Sequence, residues 1–141
     1  MKKELVKDWM TREVITINSD MTLPEAHRLM TDHKIRRLPV IDNGRLVGIV
    51  TLGDVREAEP SSATSLSIWE VNYLLAKLKI GEIMTPKPLT ISAEETIGQA
   101  ARLMLEKKVS GLPVVDEKQH VIGIITESDI FRLVVQEWQK A

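Results

Sequence analysis

The spacing of apolar positions predicts where this chain forms helices and strands. One segment carries apolar residues at helical intervals: Leu23, Ala26, Leu29 and Met30. Thr22 and Glu25 at its start match a capping box, in which two side chains satisfy backbone N–H groups of the first turn. A short apolar run before it, over residues 14–17, predicts a strand.

Two more strands are predicted after that helix. They cover residues 38–41 and 46–51, and Asp42-Asn43-Gly44 between them is typical of a tight hairpin turn. A short helix is predicted after Thr51. The order is therefore strand, helix, strand, strand, helix, which is typical of an α/β unit.

The same order occurs twice because the chain contains an internal repeat. Residues 10–42 align with residues 84–116, so that Met10-Thr11 meets Met84-Thr85 and Leu38-Pro39-Val40 meets Leu112-Pro113-Val114. After one inserted residue, the heptapeptide GIVTLGD at 48–54 meets GIITESD at 123–129. We interpret this as a tandem duplication.

The duplication divides the chain into two repeats and a linker. The first repeat covers residues 1–58, the linker residues 59–79 and the second repeat residues 80–141. In the second repeat, strands are predicted over 89–91, 112–115 and 121–126, and a helix capped by Thr96 and Gln99.

The linker is predicted to hold a loop, over residues 59–64, and a helix that begins after Ser67. Ser67 and Glu70 match another capping box. The helix carries an apolar stripe: Ile68, Val71, Leu74, Leu75 and Leu78. Such a stripe requires a partner surface, which is either its own module or a second copy of the chain.

Composition excludes several classes of function. The net charge is −1 and the basic residues are spread along the chain, which argues against nucleic-acid binding. There is no cysteine, so disulfides and thiolate metal sites are excluded. The N-terminus lacks a signal-peptide core, and no apolar run reaches membrane-spanning length. We expect a cytoplasmic protein that binds neither nucleic acid nor membrane.

The Thr-x-x-Asp sequence in each repeat permits two interpretations. Thr51 and Asp54 suit a helix cap, worth about 0.5–2 kcal/mol. Alternatively, a carboxylate on a first helical turn accepts hydrogen bonds from two adjacent hydroxyls, as a ribose diol presents them. Gly48 then lets the backbone approach a flat base, with Ile49 as an apolar wall. Neither interpretation supplies a nucleophile–base pair for catalysis.

The ordered set of Met-Thr, Leu-Pro-Val-x-Asp and Gly-Ile-x-Thr-x-x-Asp, present twice, resembles the CBS domain. The resemblance implies an α/β fold in which two CBS repeats (β-α-β-β-α) pack as a pseudo-two-fold Bateman module. With its linker, the chain looks like small stand-alone bacterial CBS-pair proteins of the acetoin-utilisation type. The implied ligands contain adenosine: AMP, ADP, ATP, S-adenosylmethionine or NAD-type molecules.

The resemblance also implies two ligand sites, each mixing the repeats. The first site would use Arg37, Ile49, Thr51 and Asp54 with Met84, Thr85, Leu89, Val109 and Ser110. The second would use Gly111, Ile124, Thr126 and Asp129 with Met10, Thr11, Ile15, Ile35 and Arg36. In both, the aspartate would bind the ribose.

The two sites differ in charge at one aligned position. Arg37 aligns with Gly111, and a guanidinium is well shaped to bind phosphate. We therefore hypothesise that the Asp54 site favours phosphorylated adenosine ligands more than the Asp129 site does. The alternative is that Arg37 is only a solvated strand end.

Together these patterns predict a regulatory module that senses an adenosine-containing ligand and signals by a change of shape or oligomeric state. We expect a homodimer, no catalytic cofactor, no metal site and no enzyme activity, and a separate regulated protein would receive the signal. The alternative is a dimerisation or interaction module without a ligand, in which Thr-x-x-Asp only caps helices.

Overall fold

A computed structural model describes residues 4–59 and 65–140, so most of the loop predicted over residues 59–64 lies outside the described residues. The chain forms two compact units. One consists of Met1–Val14 with Leu89–Ala141 and is called the Asp129 unit below. The other is Ile15–Pro88 and is called the Asp54 unit. Each unit thus contains sequence from both repeats.

The Asp54 unit is built around a three-stranded sheet. Its elements in chain order are α2 Leu23–His33, β1 Arg37–Asp42, β2 Arg45–Thr51, α3 Leu52–Ala58, α4 Ile68–Lys77, α5 Ile80–Ile83 and β3 Thr85–Pro86. Strands β1 and β3 both pair antiparallel with β2, which lies between them. The predicted hairpin turn between β1 and β2 is confirmed, since Asn43 and Gly44 adopt φ of 52° and 78°, as a type I′ turn requires.

The Asp129 unit also contains a three-stranded sheet, but its strands are arranged differently. Its elements are α1 Val6–Trp9, β4 Ile91–Ser92, α6 Ile97–Lys107, β5 Gly111–Val115, β6 Val121–Thr126 and α7 Glu127–Lys140. Strand β5 lies between β4, which is parallel to it, and β6, which is antiparallel. The helices on both sheets confirm the predicted α/β fold class.

The capping residues identified in the sequence start their helices as predicted. Thr96 and Gln99 form both bonds of a capping box at α6, with Gln99 Oε1 accepting from the Thr96 N–H at 2.8 Å. At α2, the Thr22 hydroxyl accepts from the Glu25 N–H at 3.4 Å. At α4, the Ser67 hydroxyl accepts from the Glu70 N–H at 3.2 Å.

The two cores are made of equivalent residues. The core of the Asp54 unit includes Leu23, Ala26, Met30, Leu38, Val40 and Val50. The core of the Asp129 unit includes their aligned counterparts Ile97, Ala100, Met104, Leu112, Val114 and Ile125. The duplication therefore extends to the buried side chains, and each unit buries its own apolar set.

Each core also contains a residue from the start of the other repeat. Val6 is fully buried in the Asp129 unit, and Ile80 is fully buried in the Asp54 unit. Backbone bonds hold both segments, from Val6 N–H to Glu95 O at 2.8 Å and from Ile80 N–H to Met21 O at 2.8 Å. The segment that opens each repeat is thus exchanged between the units.

The strands predicted at the start of each repeat are wrong in length. Over residues 14–17 only Ile17 forms a bridge, parallel to Val40. Val14 instead donates to the Arg12 carbonyl at 3.1 Å, which bends the chain there. The second such strand is Ile91–Ser92 rather than 89–91. The last helix, which the sequence predicts over residues 130–138, is α7 and spans 14 residues, Glu127–Lys140.

The apolar stripe of α4 is divided between core and surface. Leu75 and Leu78 pack against the core of the Asp54 unit. By contrast, Ile68 is 66% exposed, Leu74 is 52% exposed and the neighbouring Trp69 is 80% exposed. Contact with the Asp54 unit therefore accounts for the apolar residues at the C-terminal end of α4, but not for those near its start. Within the two described ranges, no helix has the length and apolar character needed to cross a bilayer.

Candidate functional site

The first Thr-x-x-Asp lies where β2 ends and α3 begins. The Asp54 carboxylate (Oδ2) accepts from the Thr51 N–H at 2.9 Å, and the Thr51 hydroxyl accepts from the Asp54 N–H at 3.1 Å. These two bonds form a complete capping box. Helix capping, one of the two interpretations of the motif, is therefore a real structural role of these residues.

Gly48 has a different role from the one predicted. A Cβ placed on Gly48 would lie 2.4 Å from Sδ of Met84 and 3.0 Å from the Thr85 carbonyl oxygen. The space beside this glycine is thus taken by Met84, not left open for a flat base. Gly48 is required because β3 and the preceding methionine approach β2 closely, and Ile49 pairs with Thr85 there.

Arg37 lies directly opposite Thr51 in the β1–β2 ladder. Directly opposite residues point to the same face of a sheet, with Cβ atoms about 5 Å apart. The register therefore places the cation predicted to bind phosphate beside the Thr51-Asp54 turn. In the Asp129 unit, the residue opposite Thr126 is Gly111, which is buried and carries no charge.

The second Thr-x-x-Asp lies where β6 ends and α7 begins, and its carboxylate is more enclosed. Asp129 is 1% exposed. Its Oδ2 accepts from the Thr126 N–H at 2.8 Å and from the Thr126 hydroxyl at 3.3 Å. Its Oδ1 accepts from the Thr11 hydroxyl at 3.4 Å and from the Arg132 guanidinium. A buried carboxylate is stabilised by this set of donors.

The segment around Met10 packs on β6 as the segment around Met84 packs on β2. A Cβ on Gly123 would lie 2.5 Å from Sδ of Met10. Thr11 and Ile124 exchange both backbone hydrogen bonds at 2.9 Å. The Met-Thr pair of one repeat is therefore bound to the Gly-Ile pair of the other repeat in both units.

The predicted site residues divide between the units as follows. The Asp54 unit brings together Arg37, Ile49, Thr51, Asp54, Met84 and Thr85. The Asp129 unit brings together Met10, Thr11, Gly111, Ile124, Thr126 and Asp129. Of the remaining predicted residues, Leu89, Val109 and Ser110 belong to the Asp129 unit, and Ile15, Ile35 and Arg36 to the Asp54 unit. Their assignment to the sites stays a prediction.

Arg132 was missed by the sequence analysis, although its spacing could have identified it. It follows Asp129 by three positions on α7, the spacing at which opposite charges pair on a helix. The aligned residue of the first repeat is Glu57, which carries the opposite charge.

Two other aligned aspartates are held by hydrogen bonds in different ways. Asp42 accepts from the Ser19 hydroxyl at 2.5 Å and the Ser19 N–H at 3.0 Å, and these bonds lower the pKa of Asp42. Asp116 accepts from the His120 and Lys118 N–H groups, and the His120 bond is the main cause of its lowered pKa. Neither belongs to a group of three or more metal-ligating side chains, of which the described residues contain none.

The family follows from a comparison of the chain with known protein families. The model of the CBS domain matches residues 6–61 and residues 80–136. The chain belongs to the CBS domain family. A CBS domain-containing protein of Dictyostelium discoideum is 38% identical over 135 residues, or 95% of this chain and 93% of that protein. The inosine-5′-monophosphate dehydrogenase of Korarchaeum cryptofilum is 38% identical over 125 residues, which are 23% of that enzyme.

Solved structures of CBS pairs share the fold. The CBS domain pair of protein MJ0100, in complex with 5′-methylthioadenosine and S-adenosyl-L-methionine, has a TM-score of 0.78 at 34% identity over 94% of this chain and 97% of its own. CBSX2 of Arabidopsis thaliana, in complex with AMP, has a TM-score of 0.78 at 32% identity over the same shares. A protein of Vibrio cholerae described as an acetoin utilization protein has a TM-score of 0.78 at 30% identity over 96% and 93%. The predicted CBS-pair fold and the likeness to the acetoin-utilisation type are confirmed.

Proposed function

We propose that this chain is a regulatory module that binds an adenosine-containing ligand at its Thr-x-x-Asp turns and signals by a change of shape or oligomeric state. The observation that carries the proposal is the arrangement in the Asp54 unit. There Asp54 stands on the first turn of α3, with Arg37 opposite Thr51 on the neighbouring strand. A carboxylate for a diol and a cation for a phosphate thus lie at one turn.

Relatives of similar length support the same ligand class. The CBS pair of MJ0100 and CBSX2 were solved with 5′-methylthioadenosine, S-adenosylmethionine and AMP, all of which contain adenosine. We extend to this chain the candidate ligands AMP, ADP, ATP, S-adenosylmethionine and NAD-type molecules. In this proposal no catalytic cofactor takes part, because the ligand is sensed and not converted.

The experiment that tests the proposal is a thermal-shift and calorimetric panel with AMP, ADP, ATP, S-adenosylmethionine and NADH. Ligand at about 100 times its dissociation constant should stabilise the fold by roughly 2.7 kcal/mol. One ligand should raise the melting temperature by several degrees. The shift should be lost, in part or completely, in Asp54→Ala and Asp129→Ala. Asp32→Ala, an exposed carboxylate on α2, is the matched control and should leave the shift unchanged.

Arg37 provides a finer test of ligand choice. We propose that the Asp54 site prefers phosphorylated adenosine ligands because Arg37 lies beside it, whereas Gly111 takes its place in the Asp129 unit. Arg37→Ala should weaken AMP binding at the Asp54 site more than tenfold and leave adenosine binding nearly unchanged. An AMP affinity within twofold of wild type would contradict this preference.

A second candidate function is an interaction module without a ligand. The complete capping box of Thr51 and Asp54 favours it, because helix capping explains the motif without any ligand. In that case no ligand of the panel shifts the melting temperature, and both aspartate variants are merely less stable. Conversion of ATP during prolonged incubation, detected by chromatography, would instead indicate an enzyme.

We further propose a homodimer, which would present the signal to a separate regulated protein. Its support is the exposed apolar side chains of α7, of which Phe131 is 62%, Val135 54% and Trp138 80% exposed. Exposed apolar groups of this size usually mark contact surfaces when they cluster. Sedimentation equilibrium should give twice the chain mass, and Trp138→Ala should weaken the association. A monomer at micromolar concentration would contradict the proposal.

A further inference from the structure

The carboxylate of Asp129 is saturated with donors from its own chain. A carboxylate offers about four acceptor positions on its two oxygens. Four donors reach Asp129: the Thr126 N–H and hydroxyl on Oδ2, and the Thr11 hydroxyl and Arg132 guanidinium on Oδ1. Because the residue is also 1% exposed, a ligand diol finds no vacant acceptor position there.

The two donors on Oδ1 are the ones that a ligand can replace. The Thr126 N–H is part of the backbone at the start of α7 and cannot leave. By contrast, the Arg132 side chain is 64% exposed, so it can turn from Asp129 into solvent without unfolding α7. The Thr11 hydroxyl at 3.4 Å is a long hydrogen bond. Oδ1 is therefore the position at which chain and ligand compete.

The position aligned with Arg132 offers Asp54 no such ion pair. The residue three positions after Asp54 is Glu57, an exposed acidic residue, so the aligned position offers no cation. Asp54 itself is half-buried rather than enclosed. Two motifs with the same spacing thus differ in the residue one helical turn after the aspartate, which is a paired arginine after Asp129 and a glutamate after Asp54.

We propose that Arg132 is an internal competitor that occupies the Asp129 carboxylate and regulates ligand entry at that turn. This inference rests on the proposed function, since it assumes that the carboxylate binds a diol. Arg132 acts through Asp129 and is therefore a positioning residue. It makes diol binding at Asp129 weaker than the motif alone would allow, so the Asp54 site fills first as ligand concentration rises.

The size of the effect follows from the exposure of Arg132. Because solvent screens the exposed guanidinium, we expect this ion pair to contribute about fivefold to an equilibrium. Removing the guanidinium should therefore tighten diol binding at Asp129 by about fivefold. The phosphate of AMP would lose a nearby cation at the same time, so the diol effect has to be measured as a ratio between two ligands that differ only in the diol.

The experiment uses AMP and 2′,3′-dideoxy-AMP in isothermal titration calorimetry. The measurements are made in an Asp54→Ala background, so that Asp129 is the only motif aspartate left to bind the diol. There, Arg132→Met should raise the ratio of AMP affinity to dideoxy-AMP affinity about fivefold. Methionine keeps an unbranched stem with good helix propensity but donates no hydrogen bond. Arg132→Lys keeps a cation and should leave the ratio within twofold of the parent. If the methionine variant does not fold, Arg132→Gln, which carries a neutral amide, replaces it. This variant should shift the ratio in the same direction.

The matched control is Glu57→Met in an Asp129→Ala background, where the ratio should stay within twofold. An unchanged or lowered ratio in Arg132→Met would overturn the inference while leaving the proposed function intact, provided that AMP binds the parent. If neither AMP nor any other ligand of the panel binds to any variant or to the unmodified chain, both the inference and the proposed function are overturned. With Asp54 intact, a second AMP-binding event that appears only when Arg132 is replaced would support the inference most directly.

Discussion

Asp54 and Asp129 occupy equivalent positions in the two repeats, but their carboxylates have different surroundings. Asp54 forms a complete capping box with Thr51 at the start of a seven-residue helix. Asp129 starts a 14-residue helix, is 1% exposed and binds Thr126, Thr11 and Arg132. In both turns the threonine N–H donates to the aspartate Oδ2, and the difference comes from the other side chains that contact the carboxylate.

This difference shows how a duplicated site acquires two chemistries. Buried apolar residues are held by close packing, so the two cores remained equivalent. Surface positions such as 57 and 132 are free to vary, since exposed substitutions cost little stability. An exposed position one helical turn from the aspartate then changes the charge that the aspartate meets, without any change of fold.

The largest expected effect on stability concerns the segment that opens each repeat. It tests whether Val6 and Ile80, which lie in these segments, are equally important to the cores in which they are buried. Ile80 is fully buried in the Asp54 unit, so Ile80→Ala should lower the free energy of unfolding by about 2–5 kcal/mol. Val6→Ala in the Asp129 unit should cost about 1.5–3 kcal/mol, because valine buries less surface. Urea denaturation measures both. An effect below about 0.5 kcal/mol for Ile80→Ala would show that the exchanged segment does not complete this core.

The glycines of the two motifs test the shared backbone approach. Gly48→Ala and Gly123→Ala each place a Cβ against the methionine packed on the strand, and should each cost about 1–3 kcal/mol. Shortening the methionine should relieve the clash. In a double-mutant cycle, Gly48→Ala should therefore cost less in a Met84→Ala background, and Gly123→Ala less in a Met10→Ala background. Additive effects would contradict the close approach.

The aspartates themselves sharpen the comparison most directly. Asp129→Ala removes the acceptor of the partly buried Thr126 N–H and leaves Arg132 without its partner, so it should cost about 1–3 kcal/mol. Asp54→Ala removes one bond of a capping box and should cost about 0.5–2 kcal/mol. Thermal unfolding without ligand measures the difference. A larger loss for Asp54→Ala would reverse the ranking inferred from burial.

The smallest expected effect concerns the aligned pair Asp42 and Asp116. Hydrogen bonds from Ser19 lower the pKa of Asp42, so their stabilisation is fully present above its usual value of 3.8 and is lost as pH falls through the lower folded value. Ser19→Ala should reduce stability at pH 7 and flatten its decline below about pH 4. The matched variant is Lys118→Ala, which keeps the backbone bonds of Asp116 and should leave that decline nearly unchanged. Denaturation at pH 2.5 to 7 measures both curves, and an unaltered slope in Ser19→Ala would contradict the prediction.

Much of the architecture could be predicted from local sequence signals. Thr22, Ser67 and Thr96 start helices, and Asn43-Gly44 forms the hairpin turn, because these residues act on backbone groups only a few positions away. The strand predicted over residues 14–17 was wrong for the opposite reason. Of these residues, only Ile17 pairs with a neighbouring strand, through a single bridge to Val40. A local apolar pattern does not show whether a strand partner is present.

The motif residues were also found by sequence alone, but the role given to Gly48 was not correct. Met84 is far from Gly48 along the chain, so nothing near the glycine in sequence indicated what would fill the space beside it. Arg132 was missed although its spacing from Asp129 is local, because an exposed arginine on a helix is ordinary until its partner is known to be buried.

The sequence by itself determined the tandem repeat, the CBS family and the position of both Thr-x-x-Asp turns, since these depend on residue identity and short-range spacing. The tertiary structure decided which segments share a unit and what each carboxylate meets. Val6 and Ile80 each lie in the core that is formed mainly by the other repeat. Thr11, which is distant from Asp129 in the sequence, donates a hydrogen bond to its carboxylate. Such contacts bring together residues distant in sequence, and a periodic pattern of apolar residues shows that a face is buried without showing which partner buries it.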